Sequence, residues 1–172
     1  KISEESLDEE ESKQYVRIMS FVINLEAVGD IIDKSMMDMA LKKIRKRSFF
    51  SKSGWEDITE IHNFVIKTMS NAHTVFLNEN PDLARDMIKG KDWIRRAESK
   101  ATESHLNRIR EGVPETISTS SLHLDIIRDY RRINSHISTV AYPILEDTGQ
   151  LPSKRLKSKK RVKKESPKDH QE

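Results

Sequence analysis

No cysteine occurs in the 172 residues of this chain. Disulfides, thiolate metal sites and cysteine nucleophiles are therefore excluded, and the absence fits a reducing compartment. Glycine and proline are scarce, at five each. Most of them fall between periodic segments, which is the punctuation of an all-α protein. Long apolar runs are missing too. The longest uncharged run in the first predicted helix, Ile18 to Leu25, has eight residues, against about 20 needed to cross a bilayer. The N-terminus is acidic and has no apolar run of the kind a signal peptide carries. No methionine stands at the start, so we expect a piece of a longer protein.

Charge, by contrast, is abundant and unevenly placed. Charged residues make up 34% of the chain, with a net charge of +3. From Leu151 to Glu172 there are nine Lys/Arg against three Asp/Glu. The other 150 residues are slightly acidic, so the high isoelectric point belongs to the C-terminal segment. That segment has almost no apolar content and is expected to be disordered. We therefore divide the chain into a helical bundle, 1–149, and a basic tail, 150–172. The tail either solubilises the protein or draws it weakly to an anionic membrane face. No nucleic-acid partner is expected, because the acidic body offers no matching patch.

The densest part of the chain runs from Tyr15 to Arg47. Tyr15, Ile18, Val22, Leu25, Ile32, Met36 and Met39 recur at three- and four-residue steps, the stripe of an amphipathic helix about 50 Å long. Phe21, Val28, Ile31 and Met37 add apolar residues beside it, so more than one face should be covered. Ser6 and Glu9 have the spacing of a capping box. Lys42, Lys43, Arg45, Lys46 and Arg47 oppose the negative end of the helix dipole, or else contact phosphate or lipid.

Three further helices are expected. Ser53 and Glu56 mark the start of the second, which runs to about Leu77 with Ile58, Ile61, Val65, Met69, Ala72 and Phe76 inward. His62 and His73 lie beside that face and are more often packed or solvated than metal-bound. Asn80 as N-cap and Pro81 at the first helical position open the third. Leu83, Met87, Ile94, Ala101 and His105 follow, and the helix ends before Gly112 and Pro114. Gly90 lies inside it at some cost in propensity. The fourth helix should run from Glu115 to about Glu146, with Leu122, Ile126, Ile133, Ile137, Val140 and Ile144 as its stripe. Pro143 should disturb its last turn.

Into the apolar first helix the sequence puts Glu26, Asp30 and Asp33. Spacings of four and three place them on one face, where like charges repel. Asp125 and Asp129 stand four apart on the fourth helix. We expect Glu26 and Asp30 to meet Asp125 and Asp129 across the bundle and to share a divalent or trivalent metal ion. Arg131 and Arg132 are rival counterions, and exposure to solvent would also relieve the repulsion. Hard oxygen ligands without thiolate leave the metal's identity open.

INLEAVGDIIDK, Ile23 to Lys34, resembles the signature of PhoU-domain proteins. SSLHLDIIRDYRRINSHISTVAYPILE, Ser120 to Glu146, resembles the last helix of the PhoU-like domain at the C-terminus of bacterial sodium/phosphate cotransporters. The resemblance runs through Trp55, Asn80 to Arg85 and His105 to Thr116, so it spans about residues 10–147. It implies three-helix repeats whose acidic motifs can bind metal. Glu26 and Asp30 would match one motif, and Asp125 and Asp129 another. Arg131 and Ser135 stand where the second motif would carry its acids, which departs from the pattern. The implied fold is an up-down bundle of four long helices: the last helix of one repeat, then a complete three-helix repeat. The implied function is a non-enzymatic regulatory or interaction domain at the cytoplasmic face of the cell membrane. Its partner would be the transmembrane transporter region preceding Lys1.

Two other functions compete with that reading. A metal-free helical adaptor with no transporter link needs none of the acidic chemistry. A carboxylate-bridged metalloenzyme would pair Glu residues with Glu-x-x-His motifs, and no such motif occurs. Ser121 and His123 are two apart and do not form a nucleophilic triad.

Overall fold

The computed structural model describes residues 8–150, so the basic tail and the Ser6–Glu9 box lie outside the described residues or straddle their edge. Those residues form an all-α bundle with no strand among them. The first arm is one continuous helical rod in three parts. These are α1 (Glu9–Asp30), a π-helical stretch (Ile31–Met36) and α2 (Met37–Arg45). A loop leads to α3 (Lys52–Asn78), and a tight turn leads to α4 (Pro81–Arg110). The return path is α5 (Pro114–Ser118), α6 (Ser120–Ile137), a 3-10 turn (Ser138–Val140) and α7 (Ala141–Asp147).

Local chemistry sets these boundaries. α1 starts with a capping box between Asp8 and Glu11. Asp8 Oδ1 accepts from the Glu11 backbone N–H at 2.8 Å, and Glu11 Oε2 accepts from the Asp8 N–H at 3.0 Å. The acids that follow, Glu9, Glu10 and Glu11, suit the positive end of the helix dipole. α3 is capped by Ser51, not Ser53, through the Gly54 N–H at 3.2 Å. Asn80 caps α4 as expected, accepting from Leu83 N–H at 3.0 Å, with Pro81 next. Glu79, in the left-handed region at φ 50°, turns the chain between the two.

The expected fourth helix is segmented. Thr119 breaks it near the start, leaving α5 as a separate turn. Farther on, Pro143 lacks an N–H, and its ring crowds the carbonyl of Thr139 one turn earlier. The tighter 3-10 turn at Ser138–Val140 sits at that place.

The core lies among α3, α4, α6 and α7. Ile61, Ile94, Ile127 and Ile137 are fully enclosed, with Ala72, Val75, Ala84 and Ala141 giving close approach. Burying one such large side chain is worth about 1.5–3 kcal/mol. Gly90 has a packing reason: a Cβ there would come within 2.9 Å of Phe64 Cζ. The Phe64 ring stacks on Trp93 at 4.1 Å between centroids, joining α3 to α4.

The first arm docks on this body by its flank. Phe21, Val28, Ile31, Met36 and Met39 pack against the core, and Phe21 stacks on Phe76 at 4.4 Å. Most of the expected stripe faces away. Tyr15, Ile18, Val22, Leu25 and Ile32 are exposed, as are Val16, Met19, Ile23, Met37, Leu41 and Ile44.

Candidate functional site

The acidic face follows from that docking angle. Phe21, Val28 and Ile31 point into the body, so Glu26 and Asp30 project outward amid exposed Val22 and Ile23. Asp30 forms an ion pair with Lys34 at 2.7 Å, one turn on. That hydrogen bond, and then the Asp30 charge, raise the Lys34 pKa. Asp125 pairs with Arg128 at 2.7 Å, on the helix bearing Asp129. Asp129 alone is buried, at 1% exposure. The four carboxylates therefore do not converge as expected, because Glu26 and Asp30 lie on the far side of α1. Among the described residues, no group of three or more His, Asp or Glu is placed to hold a metal ion.

Asp129 is the acid that joins the arm to the body. Ser35 in the π-helical stretch donates to its Oδ2 at 2.5 Å, and Arg132 Nη1 donates to its Oδ1 at 2.9 Å. The π-helical widening lies where Ser35 meets α6, and such stretches are frequent at functional sites. Arg131 instead pairs with Glu98 of α4 at 2.8 Å. Neither arginine is the counterion of Glu26 or Asp30. Beside this junction His136 Nδ1 meets Asn24 Oδ1 at 3.0 Å, and His62 Nδ1 meets the Tyr130 hydroxyl at 3.0 Å. Burial raises the Tyr130 pKa. His73 is exposed.

A second cluster, which the sequence reading did not assemble, closes the other end of the bundle. Arg108 of α4 donates to Asp57 of α3 at 3.0 Å and to Ser104 Oγ at 2.7 Å. His123 of α6 lies with Nε2 at 3.1 Å from the Gly54 carbonyl oxygen and 3.6 Å from Asp57. A carbonyl only accepts, so the proton of neutral His123 sits on Nε2. The His105 ring stacks on His123 at 4.9 Å, and its Nε2 meets Ser120 Oγ at 2.8 Å. Burial first, then His123 and Arg108, push the His105 pKa down. The Nδ1 atoms of both histidines are buried without a partner among the described residues. The Ser120–His105 contact thus lacks the orienting third group of a nucleophilic triad. One signal for this cluster was present in the sequence: His105 fell in register with the apolar stripe of its helix. Its partners come from three separate helices, and spacing within one helix cannot bring them together.

The fold, a hairpin of long helices with a segmented return and a preceding helical rod, carries a family signature. The PhoU domain family matches residues 58–144, half of the chain, and the chain belongs to that family. Curated relatives share the same region and more. The "Putative inorganic phosphate export protein YjbB" of Salmonella typhimurium is 29% identical over 150 residues, 87% of this chain and 28% of the relative. Its namesake in Escherichia coli O157:H7 is 30% identical over 146 residues, 85% of this chain and 27% of the relative. The chain thus spans less than a third of the length of these relatives. No solved structure matches it.

Proposed function

We propose that this chain is a regulatory and interaction domain of a sodium-dependent phosphate transporter, held at the cytoplasmic face of the membrane. The observation that carries the reading is the outward face of the first arm. Eleven large apolar side chains between Tyr15 and Ile44 are exposed along the arm, and apolar exposure on that scale is a mark of an interaction site. No helix of the described residues is long and apolar enough to cross a membrane, so transport itself would fall to other parts of a larger protein. The relatives' printed name, inorganic phosphate export, supports phosphate as the transported ion. The reading is of a binding domain, not a catalytic one.

Metal binding at Glu26 and Asp30 belongs to this proposal in modified form. Both acids stand within the apolar face, so a covering partner would bury them. Asp30 already has Lys34 beside it, and a further cation, from metal or from a basic side chain of the partner, would offset the desolvation of Glu26. Asp129 is already satisfied by Ser35 and Arg132, and Asp125 by Arg128.

The test is labelled-phosphate flux in cells expressing the full-length transporter with Val22→Asp and Ile23→Asp. Flux should lose its response to external phosphate while the purified domain stays helical by circular dichroism. Sodium replacement by choline should abolish flux in both forms. A normal phosphate response in the double variant would remove the regulatory reading.

A further inference from the structure

The end of α2, the loop after it and the start of α3 form a tip where arm and body meet solvent together. α2 stops at Arg47, in the left-handed region at φ 47°. The Arg47 N–H bonds the Ile44 carbonyl at 3.0 Å, and the Ser48 N–H bonds the Lys43 carbonyl at 3.2 Å. That pair of bonds is a Schellman stop, which fixes how the chain leaves the helix. The loop then sends its two phenylalanines opposite ways. Phe50 turns in, against the core and against His123, with ring centroids 6.2 Å apart. Phe49 turns out. It and Ile44 are each 70% exposed, and no large apolar side chain among the described residues is more exposed than these two. Trp55, in the first turn of α3, stacks on Phe50 at 6.2 Å and is also exposed. Thr116 of α5 donates to Ser51 Oγ at 3.0 Å, so α5, with exposed Ile117, adjoins the loop.

The same tip is cationic. Residues 42–52 hold six Lys/Arg and no Asp/Glu. Lys42 pairs with Asp38 at 2.7 Å. Lys43 lies over the rings of Phe49 and Phe50, 5.3 and 5.5 Å from their centroids. Arg45, Lys46, Arg47 and Lys52 are exposed and pair with no acid among the described residues. The acids of the adjoining turns, Glu56, Glu111 and Glu115, are fewer than these cations. An apolar partner alone would leave the charges unmatched, and a polyanion alone would leave Ile44 and Phe49 in water. The interface of an anionic membrane takes both: acyl chains accept the apolar side chains, and headgroup phosphates meet the cations. Tryptophan suits that depth, with an apolar body and a polar N–H. Nucleic acid fits less well, because base stacking needs open ring faces. Here Lys43 lies on Phe49, Phe50 and Trp55 face each other, and Ile44 has no ring.

We propose that this tip docks on an anionic lipid surface, with Ile44, Phe49 and Trp55 entering the headgroup boundary and Arg45, Lys46, Arg47 and Lys52 meeting lipid phosphates. Lipid binding stands on these residues, and its place in a transporter rests on the reading above. The tip is distinct from the basic segment 150–172. That segment leaves from the opposite end of the bundle, where Asp147 of α7 pairs with Arg17 of α1. From Arg17 to Ile44 the rod runs about 40 Å. A membrane held by the basic segment alone would therefore leave Trp55 in water.

The test uses the purified full chain with Trp93→Phe, so that Trp55 alone emits; phenylalanine keeps a ring against Phe64. It is mixed with vesicles of phosphatidylcholine, alone or with phosphatidylglycerol. Trp55 emission should shift to the blue with the anionic vesicles, and lipids brominated on the acyl chain should quench it. Neutral vesicles should change nothing. Ile44→Ser with Phe49→Ser keeps every charge and alters only exposed positions. It should abolish the blue shift and weaken vesicle binding roughly tenfold, with helicity by circular dichroism unchanged. Arg45→Gln with Lys46→Gln should also weaken binding roughly tenfold, and added salt should shrink that difference. Vesicle binding with Trp55 emission unmoved would assign the attraction to residues 150–172 and overturn the proposal. No binding to anionic vesicles, a blue shift kept by the Ile44/Phe49 variant, or tighter binding to a single-stranded oligonucleotide than to the vesicles would overturn it as well. Each of these results would leave the flux experiment to decide the transporter reading separately.

Discussion

The first arm and the body it leans on obey different rules. In the body, α3, α4, α6 and α7 turn their apolar stripes toward each other, and Ile61, Ile94, Ile127 and Ile137 are sealed. In the arm, the three parts of the rod bury only Val28, Ile31 and Met39. The same amphipathic pattern thus has two outcomes in one chain. A stripe shows that a face avoids water; it does not show which surface will cover it. The body finds its cover within the chain, and the arm leaves most of its apolar residues exposed among the described residues. The PhoU family match, residues 58–144, falls on the self-covering part.

The comparison is easiest to break at its extremes. Ile61→Ala, at 1% exposure, should cost about 2–5 kcal/mol in urea unfolding, as buried large-to-small changes do. A loss near zero would show that the body is not the stabilising unit. Arg108→Leu should come next. It leaves Asp57 without its partner, with the Asp57 side chain 18% exposed. Full burial would place the loss at about 3–5 kcal/mol, and partial exposure brings it down to about 2 kcal/mol.

A pH effect should follow from the same cluster. Burial lowers the His105 pKa in the folded state below its ordinary 6.5. The unfolded chain then binds the extra proton more readily. This contribution to stability is fully present above pH 6.5 and is lost as pH falls through that value toward the folded pKa. Urea midpoints should therefore drop between pH 7.5 and 5, and His105→Gln should flatten the drop. An equal drop in the variant would assign it to other groups. The smallest effect should come from the arm. Ile23→Ser, at 57% exposure, should change stability by no more than about 0.5 kcal/mol. A loss comparable to that of Ile61→Ala would mean that the arm's outer face is already covered.

Much of this fold could be read from spacing alone. The α4 start at Asn80–Pro81 and the apolar registers of α3 and α4 were visible because caps and stripes are local signals. The break at Thr119 was not visible, because nothing in Ser118–Thr119–Ser120 forbids a helix. The π-helical stretch was hidden for a similar reason: one widened turn shifts the register by one residue, and Ile31 and Ile32 both look apolar. Glu26 and Asp30 were legible as a pair on one face, but their direction depended on the flank chosen by Phe21, Val28 and Ile31. His105 and His123 drew notice singly, whereas Asp57 and Arg108 carried no signal of their own, since only tertiary packing joins the three helices.

Hydrogen exchange resolved by residue tests the two-part account most directly. In the isolated chain, amides of α3, α4 and α6 should exchange only through global unfolding. Amides of Glu9–Ala27 in α1 should exchange through a cheaper opening that leaves the body folded. Their protection should rise when the full-length protein is measured. Equal, globally limited protection of α1 and the body in the isolated chain would contradict the account.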